Sequence, residues 1–304
     1  MIQQAVAYYL GIDGGGTKTI CLVGDEASVL GRGESSGSNV VRLGKQAAGD
    51  ALQQAARAAC TNAKIGPAQI VRTVAGVAGV GRTEVHDFVQ EVLRDVVGGG
   101  ILVVTDVETA LQAAFAEGPG VVVVSGTGSI AFARNSQGET ARAGGWGWAI
   151  SDEGSGPWIG RAAVAAFIRA RETGQVSQME YSIRLAWKLP IDQDLVSAAN
   201  ATPQPDFGAF LPEVVAAANA GDPFAVEVFA RAGGELAALA KIASSRVFSA
   251  DASVPVAMSG GAFAHAPNLC QAFYNSLQVQ LPHATLLPDL ADPVLGALQM
   301  ARRG

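Results

Sequence analysis

The chain has 304 residues, 49% of them apolar and 16% charged, and its formal net charge is −6. That length allows one large domain or two of about 150 residues, and the acidic balance, without a Lys/Arg cluster, argues against nucleic-acid binding. No apolar run approaches the ~18 residues of a membrane-spanning helix, so no membrane association is expected. The three cysteines, Cys21, Cys60 and Cys270, are far apart, which argues against a disulfide framework or metal site and predicts a reducing, cytoplasmic setting.

The first part of the chain is predicted to open with an antiparallel meander of three strands and then to alternate helices and strands. The strands are apolar or β-branched runs bounded by Gly, Asp and Glu, over 6–12, 19–23, 29–34, 70–75 and 101–105. The helices are Ala-rich or one-sided apolar stretches over 45–61, 83–97 and 108–117. Such alternation is typical of an α/β domain.

A second cycle of the same kind begins at Val121. Helices dominate from about 157 to 249, and strands are predicted over 121–124, 130–134, 140–143 and 254–258. Because the order of strands, glycine turn, helices and strand occurs twice, we expect two related α/β lobes with a boundary near residues 118–120.

The turn after the first strand has a glycine run that resembles two commoner nucleotide motifs without matching either. Thr19 stands where a dinucleotide fingerprint needs its third glycine, and Thr17 precedes Lys18, which puts the lysine out of register for a P-loop. The remaining interpretation is a β-hairpin that wraps phosphate, since its glycines permit positive φ and close approach of backbone N–H groups. Asp13 could hold Mg²⁺ through water. The tip comprises Asp13, Gly14, Gly15, Gly16, Thr17 and Lys18. An ordinary glycine hairpin stays open as the alternative.

A second turn of glycine and hydroxyl residues, Gly126, Thr127 and Gly128, follows the strand at 121–124. Two such turns, one in each predicted lobe, indicate a clamp on a polyphosphate. Between them in sequence, Asp106 follows the strand at 101–105, at the carboxyl end where open α/β sheets bind their ligands. Capping of the next helix is the alternative role for Asp106.

Two further glycine-rich segments are candidates for ligand contact. Residues 144–156 combine two tryptophans with glycines and acidic residues, and Trp faces can stack on the apolar faces of sugars while a carboxylate binds the hydroxyls. A structural aromatic corner is the alternative for this segment. The strand at 254–258 runs into Gly260 and Gly261, whose small size would let adenine or ribose lie against the backbone.

Together these motifs resemble the BadF/BadG/BcrA/BcrD ATPase family, and within it the N-acetylglucosamine kinases, over nearly the whole chain. The most specific piece is Gly144–Gly147 with Asp152–Ser155. The resemblance implies an α/β fold of two ribonuclease-H-like lobes, of the actin/hexokinase/Hsp70 ATPase type, with a central cleft. It also implies an N-terminal ATPase lobe over 1–118, completed by a C-terminal helix in 291–304, and a C-terminal ATPase lobe over 119–290.

The same resemblance implies roles for the candidate residues. Thr17 with its flanking glycines and the pair Thr127 and Gly128 match the phosphate motifs, while Gly260 and Gly261 match the adenosine motif. Asp106 matches the catalytic base. The amino-sugar contacts match Asn39, Gly145, Trp146, Gly147 and Asp152. The implied reaction uses ATP and Mg²⁺, with Asp106 accepting the proton of the sugar 6-hydroxyl as that oxygen attacks the γ-phosphate, and lobe closure excluding water.

Several alternatives remain. Some members of the family use ATP hydrolysis to drive an electron from an iron–sulfur cluster, but the three cysteines lack suitably spaced partners. A glucokinase of the repressor/ORF/kinase group would carry a zinc-binding cysteine cluster, which is absent, and a sugar sensor or actin-like polymer gives Asp106 no role. The acceptor stays open among N-acetylglucosamine, glucosamine, N-acetylmuramic acid and N-acetylmannosamine; the retained Gly-Trp-Gly pattern favours an N-acetylated sugar. The family's frequent dimers suggest a homodimer.

Overall fold

The computed structural model describes residues 6–189, 192–202 and 205–303. The chain divides into two compact units, Met1–Gly118 with Ala291–Gly304, and Pro119–Leu290, called here the N-terminal and C-terminal units. Within the described ranges, no helix is long and apolar enough to cross a membrane.

The N-terminal unit is built on a five-stranded mixed sheet in the order β3-β2-β1-β4-β5. Its strands are β1 (Tyr8–Gly14), β2 (Lys18–Gly24), β3 (Val29–Ser36), β4 (Ile70–Val77) and β5 (Gly100–Val104). Its helices are α1 (Val40–Leu43), α2 (Lys45–Ala63), α3 (Thr83–Arg94), α4 (Asp106–Phe115) and the last helix of the chain, α12 (Pro293–Arg303). The first three strands are antiparallel, whereas β4 runs parallel to β1 and β5 parallel to β4.

The C-terminal unit contains the second sheet, in the order β10-β9-β6-β7-β8. Its strands are β6 (Gly120–Ser125), β7 (Ser129–Arg134), β8 (Thr140–Gly144), β9 (Val254–Ser259) and β10 (Ala284–Leu286). Its helices are α5 (Gly156–Glu172), α6 (Gln178–Trp187), α7 (Asp192–Ala199), α8 (Leu211–Asn219), α9 (Pro223–Ser244), α10 (Gly261–His265) and α11 (Pro267–Gln280).

The two sheets have the same topology. Read from the meander edge, β8-β7-β6-β9-β10 repeats β3-β2-β1-β4-β5, with three antiparallel strands followed by two parallel ones in each case. The repeated α/β cycle predicted from the sequence is therefore confirmed. Strand β10 and helix α1 were not predicted, because each is only three or four residues long.

Helix α3 ends at Arg94, three residues before the predicted end. The chain must then approach the neighbouring backbone closely: a Cβ on Gly99 would lie 2.0 Å from the Val71 carbonyl oxygen, and Gly99 has φ +70°. A helix that continued through this segment could not make that approach, so the tertiary contact ends the helix early.

Helix α12 packs within the N-terminal unit on β1 and α4, and glycines at both contacts allow the approach. A Cβ on Gly11 of β1 would lie 2.4 Å from the backbone nitrogen of Leu298, and a Cβ on Gly296 would lie 2.0 Å from the carbonyl oxygen of Thr109. The buried side chains of Val294 and Leu298 cover β2. Backbone-to-backbone contact of this kind excludes any larger residue at either glycine.

Each unit buries its own apolar core. In the N-terminal unit, burial raises the pKa of the thiols of Cys21 and Cys60, so these cysteines remain protonated and unreactive. In the C-terminal unit, Phe167, Phe229 and Phe273 are at most 2% exposed. Burial of one such side chain stabilises the fold by about 1.5–3 kcal/mol.

Candidate functional site

The first glycine turn is the tip of the β1–β2 hairpin, as the sequence predicts. The N–H of Gly15 donates to the carbonyl of Lys18 at 3.0 Å, and the Gly15 carbonyl accepts from the backbone N–H groups of Ser38 (2.9 Å) and Asn39 (3.2 Å). The segment after β3 therefore fixes the turn from one side, while Thr17 and Lys18 are exposed.

Gly14 of this turn is required by close approach. Neither Gly14 nor Gly15 has positive φ, so the expectation that the turn uses positive φ is wrong at these two positions. A Cβ on Gly14 would lie 2.4 Å from Ser38 Oγ and 3.1 Å from a methyl carbon of Val77. Ser38 Oγ is buried and has no hydrogen-bond partner among the described residues, a condition that costs about 1–3 kcal/mol.

Two acidic residues predicted from separate motifs, Asp13 and Asp106, lie near the carboxyl ends of strands β1 and β5 of the N-terminal sheet. Asp13 lies opposite Gly76 of β4, and Gly76 lies opposite Val104 of β5, two residues before Asp106. Burial, with a smaller contribution from the negative charges of Asp106 and Asp292, raises the pKa of Asp13 to about 7. Burial also raises the pKa of Asp106, to about 6. This part of the sheet edge therefore favours a neutral carboxyl or a bound cation.

Asp106 is not the N-cap residue of α4, because Thr105 and Glu108 form the capping box of that helix. The Glu108 Oε2 atom accepts from the Thr105 backbone N–H at 2.8 Å and from the Thr105 hydroxyl at 2.6 Å. Asp106 is the first residue inside the helix, and its Oδ1 atom accepts from the N–H of Val107 at 3.1 Å. The cap holds the helix end in place, so the Asp106 carboxylate is positioned without serving as the cap itself.

Asn39, a predicted amino-sugar contact, is the N-cap of helix α1. Its Oδ1 atom accepts from the N–H of Arg42 at 3.2 Å, which orients the side chain. Within the described part of the chain no hydrogen bond involves its Nδ2 group, so that donor pair can reach a hydroxyl or carbonyl of a ligand. The sugar contact itself stays a prediction.

The second glycine turn, Gly126–Gly128, is the tip of the β6–β7 hairpin, and one backbone hydrogen bond of 2.9 Å closes it. The flanking Ser125 and Ser129 are buried, and their hydroxyls donate to the carbonyls of Gly154 (2.7 Å) and Glu153 (2.8 Å). These serines connect the turn to the segment that contains Glu153 and Gly154, a role that was not predicted from the sequence. Their position on either side of a Gly-Thr-Gly tip was the available signal.

Helix α5 begins directly against the second turn. Its N-cap Ser155 accepts from the N–H of Trp158 at 3.3 Å, and the N–H of Gly156 donates to the carbonyl of Gly126 at 2.9 Å. A helix of this length has a partial positive charge at its N-terminus. The second turn therefore lies in a potential that favours an anion.

Asp152, a predicted sugar contact, is a buried residue that joins the second turn to residues 145–148, called here the tryptophan loop. It is 6% exposed and has φ +71°. Its Oδ1 atom accepts from the N–H of Ser129 at 3.3 Å, and the backbone of Gly147 also donates to the carboxylate. Burial raises its pKa. A left-handed backbone at a non-glycine residue costs about 1–3 kcal/mol and persists only where surrounding contacts enforce it, so Asp152 is a strained connection within this unit.

The tryptophan loop does not form a packed aromatic corner. Trp146 is 63% exposed and Trp148 is 54% exposed. Gly145 and Gly147 on either side of Trp146 have φ +72° and +89°, which explains the glycines of this motif. The guanidinium of Arg142 lies 4.7 Å from the centre of the Trp146 ring. The corner alternative is therefore wrong, and an exposed aromatic face remains available to a ligand.

Gly260 and Gly261 adjoin the second turn. Gly260 has φ +100°, and a Cβ there would lie 2.3 Å from the Ser125 carbonyl oxygen, whereas no atom lies within 4 Å of the Cβ position of Gly261. The Gly261 nitrogen is 3.8 Å from the Cβ position of Gly126. The predicted phosphate and adenosine motifs of the C-terminal unit therefore meet beside open space.

The residues described above are chemically suited to bind ATP and Mg²⁺. Mutual repulsion contributes to the raised pKa of Asp13, and a cation beside it would relieve that repulsion. In the ranges that the structure covers, no three His, Cys, Asp or Glu side chains converge on one point. Since Mg²⁺ keeps several waters and binds one or two carboxylates plus phosphates, Asp13 would hold it mainly through water.

Comparison with known proteins gives relatives along nearly the whole chain. The chain is 28% identical to an N-acetylmuramic acid/N-acetylglucosamine kinase of Clostridium acetobutylicum, over 97% of this chain and 98% of that protein. It is 25% identical to an N-acetyl-D-glucosamine kinase of Dictyostelium discoideum, over 96% and 97%. A crystal structure from Chromobacterium violaceum matches with a TM-score of 0.78 and 26% identity, over 97% and 99% of the two chains.

These matches agree with the duplicated sheet topology, and the fold is that of the actin/hexokinase/Hsp70 ATPases. A sequence profile described as the BadF/BadG/BcrA/BcrD ATPase family matches residues 10–301. The chain belongs to the BadF/BadG/BcrA/BcrD ATPase family.

Proposed function

We propose that this chain is an amino-sugar kinase that transfers the γ-phosphate of ATP to the 6-hydroxyl of N-acetylglucosamine or a close relative. The observation that carries the proposal is the Asp106 carboxylate, which lies just after β5 at the first position of a helix capped by Thr105 and Glu108. The relatives named as kinases of N-acetylglucosamine and N-acetylmuramic acid support the choice of an amino sugar.

Asp106 acts as the general base. With its pKa raised to about 6 by burial, it is mostly ionised at neutral pH and yet more basic than an exposed aspartate. Proton acceptance is most effective when the pKa of the base lies near the working pH. It would take the proton from the attacking hydroxyl as the new O–P bond forms, and no covalent enzyme intermediate is needed.

Asp13 and the first turn bind the Mg²⁺–triphosphate. The Mg²⁺ ion supplies neutralisation of the charge on the phosphate oxygens. Asp13 orients it through water, and the exposed Thr17 and Lys18 of the hairpin tip contact the phosphates. Asp292 adds a further negative charge near Asp13, which strengthens the attraction for a cation.

The C-terminal unit also carries residues suited to binding a nucleotide. Thr127 and Gly128 donate to phosphate oxygens, assisted by the N-terminus of α5. Adenosine lies against Gly260 and Gly261, where the open Cβ position of Gly261 leaves room for it.

Sugar contacts come from Asn39, Trp146 and the glycines beside it. Asn39 offers its Nδ2 donor, and Trp146 offers an exposed ring face to the apolar face of a pyranose. Asp152 is proposed to accept from a sugar hydroxyl, and its bonds to Ser129 and Gly147 orient it for that contact. On the family resemblance we also propose a homodimer that acts in the cytoplasm.

A coupled ADP-release assay tests the proposal. Purified protein with ATP and Mg²⁺ is assayed with N-acetylglucosamine, glucosamine, N-acetylmuramic acid, N-acetylmannosamine and glucose, and with 6-deoxy-N-acetylglucosamine to test the position of attack. We expect sugar-dependent ADP release with an amino sugar and none with the 6-deoxy analogue. ADP release that no sugar stimulates, from a brown protein containing iron and sulfide, would instead indicate an electron-transfer ATPase of the same family.

A further inference from the structure

A cavity of about 250 Å³ lies in the C-terminal unit between the edge strand β8 and the helix α9 with the residues that follow it. Its walls include Arg142, Gly144, Trp146, Leu239, Ile242 and Arg246. The cavity shares Trp146 with the tryptophan loop, and the volume suits a substituted monosaccharide. Of the motif residues, Gly144 and Trp146 contribute to it.

The cavity contains two arginines without acidic partners. No ion pair in the described part of the chain includes Arg142 or Arg246, although the chain as a whole has a net charge of −6. Arg246 donates through Nη1 to the carbonyl oxygen of Arg142, which leaves its other N–H groups for a ligand. The guanidinium group of an arginine binds a carboxylate or a phosphate group through two parallel hydrogen bonds.

The other walls of the cavity are apolar. The guanidinium carbon of Arg142 lies over the Trp146 ring, 4.7 Å from its centre, and among the described residues no hydrogen bond occupies its N–H groups. Leu239 and Ile242 provide aliphatic surface from α9, and Ile242 is 43% exposed. An aromatic ring, an aliphatic wall and two unpaired guanidinium groups suit a ligand that combines a sugar ring with an acidic substituent.

We propose that Arg142 and Arg246 form a subsite for the carboxylate of an acidic amino sugar, such as the lactyl ether of N-acetylmuramic acid. This inference rests on the proposed function, because it takes Trp146 as a sugar contact. The sugar ring lies against Trp146 and its acidic substituent extends along β8 to the two guanidinium groups. Neutral N-acetylglucosamine makes no contact with the arginines.

The test compares the two sugars in the wild-type protein and in Arg246→Gln, with Arg142→Gln as a second variant. Arg169→Gln is the matched control, since Arg169 is an exposed arginine on α5 outside the cavity. We expect Arg246→Gln to lower kcat/KM for N-acetylmuramic acid about 10- to 100-fold, as for the loss of one hydrogen bond to a charged group, mainly through KM. Its kcat/KM for N-acetylglucosamine should change less than about threefold, the control should match the wild type for both sugars, and circular dichroism checks folding.

The outcomes separate this inference from the proposed function. An equal loss for both sugars in Arg246→Gln, or no loss for either, overturns the carboxylate subsite. Turnover of N-acetylglucosamine without turnover of N-acetylmuramic acid by the wild type also overturns it and leaves the proposed function standing. Turnover of neither sugar overturns the carboxylate subsite, and the absence of turnover with all four amino sugars overturns the proposed function as well.

Discussion

Replacing Asp106 with asparagine removes the proposed base while keeping the shape and the Oδ1 acceptor for Val107. General-base catalysis contributes about 10²- to 10⁴-fold, so we expect kcat to fall by at least about 100-fold. The hairpin tip and the C-terminal turn are untouched, so the affinity for ATP should stay within about threefold of the wild type. In the wild type, kcat/KM should rise with pH up to about 6 and then level off as Asp106 ionises.

The same substitution should stabilise the fold at neutral and alkaline pH. Burial raises the pKa of Asp106 from 3.8 to about 6, so the native state binds its proton more tightly than the unfolded state does. Stability therefore falls as pH rises from about 4 to about 6, by about 3 kcal/mol at most for this group. Asparagine carries no charge and avoids this cost, and the loss of a negative charge beside Asp13 adds a smaller gain.

Two measurements check the argument together. Urea unfolding at pH 4 and pH 8 gives the free energy of unfolding, and a coupled assay gives kcat and KM. Asp106→Asn should gain up to about 3 kcal/mol at pH 8 and little at pH 4, with a large loss of kcat. Asp50→Asn, at an exposed position on α2, should show neither effect.

Near-wild-type kcat in Asp106→Asn would show that the carboxylate is not the base. Lower stability of the variant than of the wild type at pH 8 would show that the ionised carboxylate stabilises the native sheet.

Three further experiments test the supports of the site. Glu108→Ala removes the capping box of α4 and should lower the free energy of unfolding by about 1 kcal/mol. The variant should also have a lower kcat and an unchanged KM for ATP. An unchanged kcat would show that the cap does not position the base. Gly14→Ala should lower the free energy of unfolding by about 1–3 kcal/mol, because its Cβ would lie 2.4 Å from Ser38 Oγ. Adding Ser38→Ala to the same chain should recover part of that loss in urea unfolding. Additive effects of the two substitutions would contradict the clash. Gly260→Ala should unfold more readily than Gly261→Ala, because of these two glycines only Gly260 has positive φ and backbone within 3 Å of its Cβ position. Gly261→Ala should mainly weaken ATP binding, as measured by calorimetry. Equal stability of the two variants would contradict this expectation.

Much of the fold could be predicted from local patterns. Apolar β-branched runs bounded by glycine and acidic residues predicted most strands, because alternation, apolar content and turn chemistry act over a few residues. The duplicated order of strands could be predicted for the same reason, and the register confirms it. Strand β10 has only three residues and pairs with β9, so its existence depends on a neighbour that local pattern does not supply.

The candidate site was predictable as a set of motifs and less so as a set of contacts. Glycine runs indicated the two turns, but the reason for Gly14 is the Ser38 side chain, 24 positions away in sequence. The roles of Ser125 and Ser129 depend on carbonyls about 25 residues downstream. Such pairings form only when separate elements pack together, so residue type alone could not assign them.

The sequence by itself determined the turns, the repeat and the identity of the acidic residues, because these follow from short-range chemistry. Only the tertiary structure decided how each acidic residue is used. It buried Asp13 and aligned it with Asp106 across β4, which together raised the pKa of Asp13. It also buried Asp152 as a link between the second turn and the tryptophan loop. The reason is physical: burial and the proximity of like charges depend on residues far apart in the chain, and they set the proton affinity of a carboxylate.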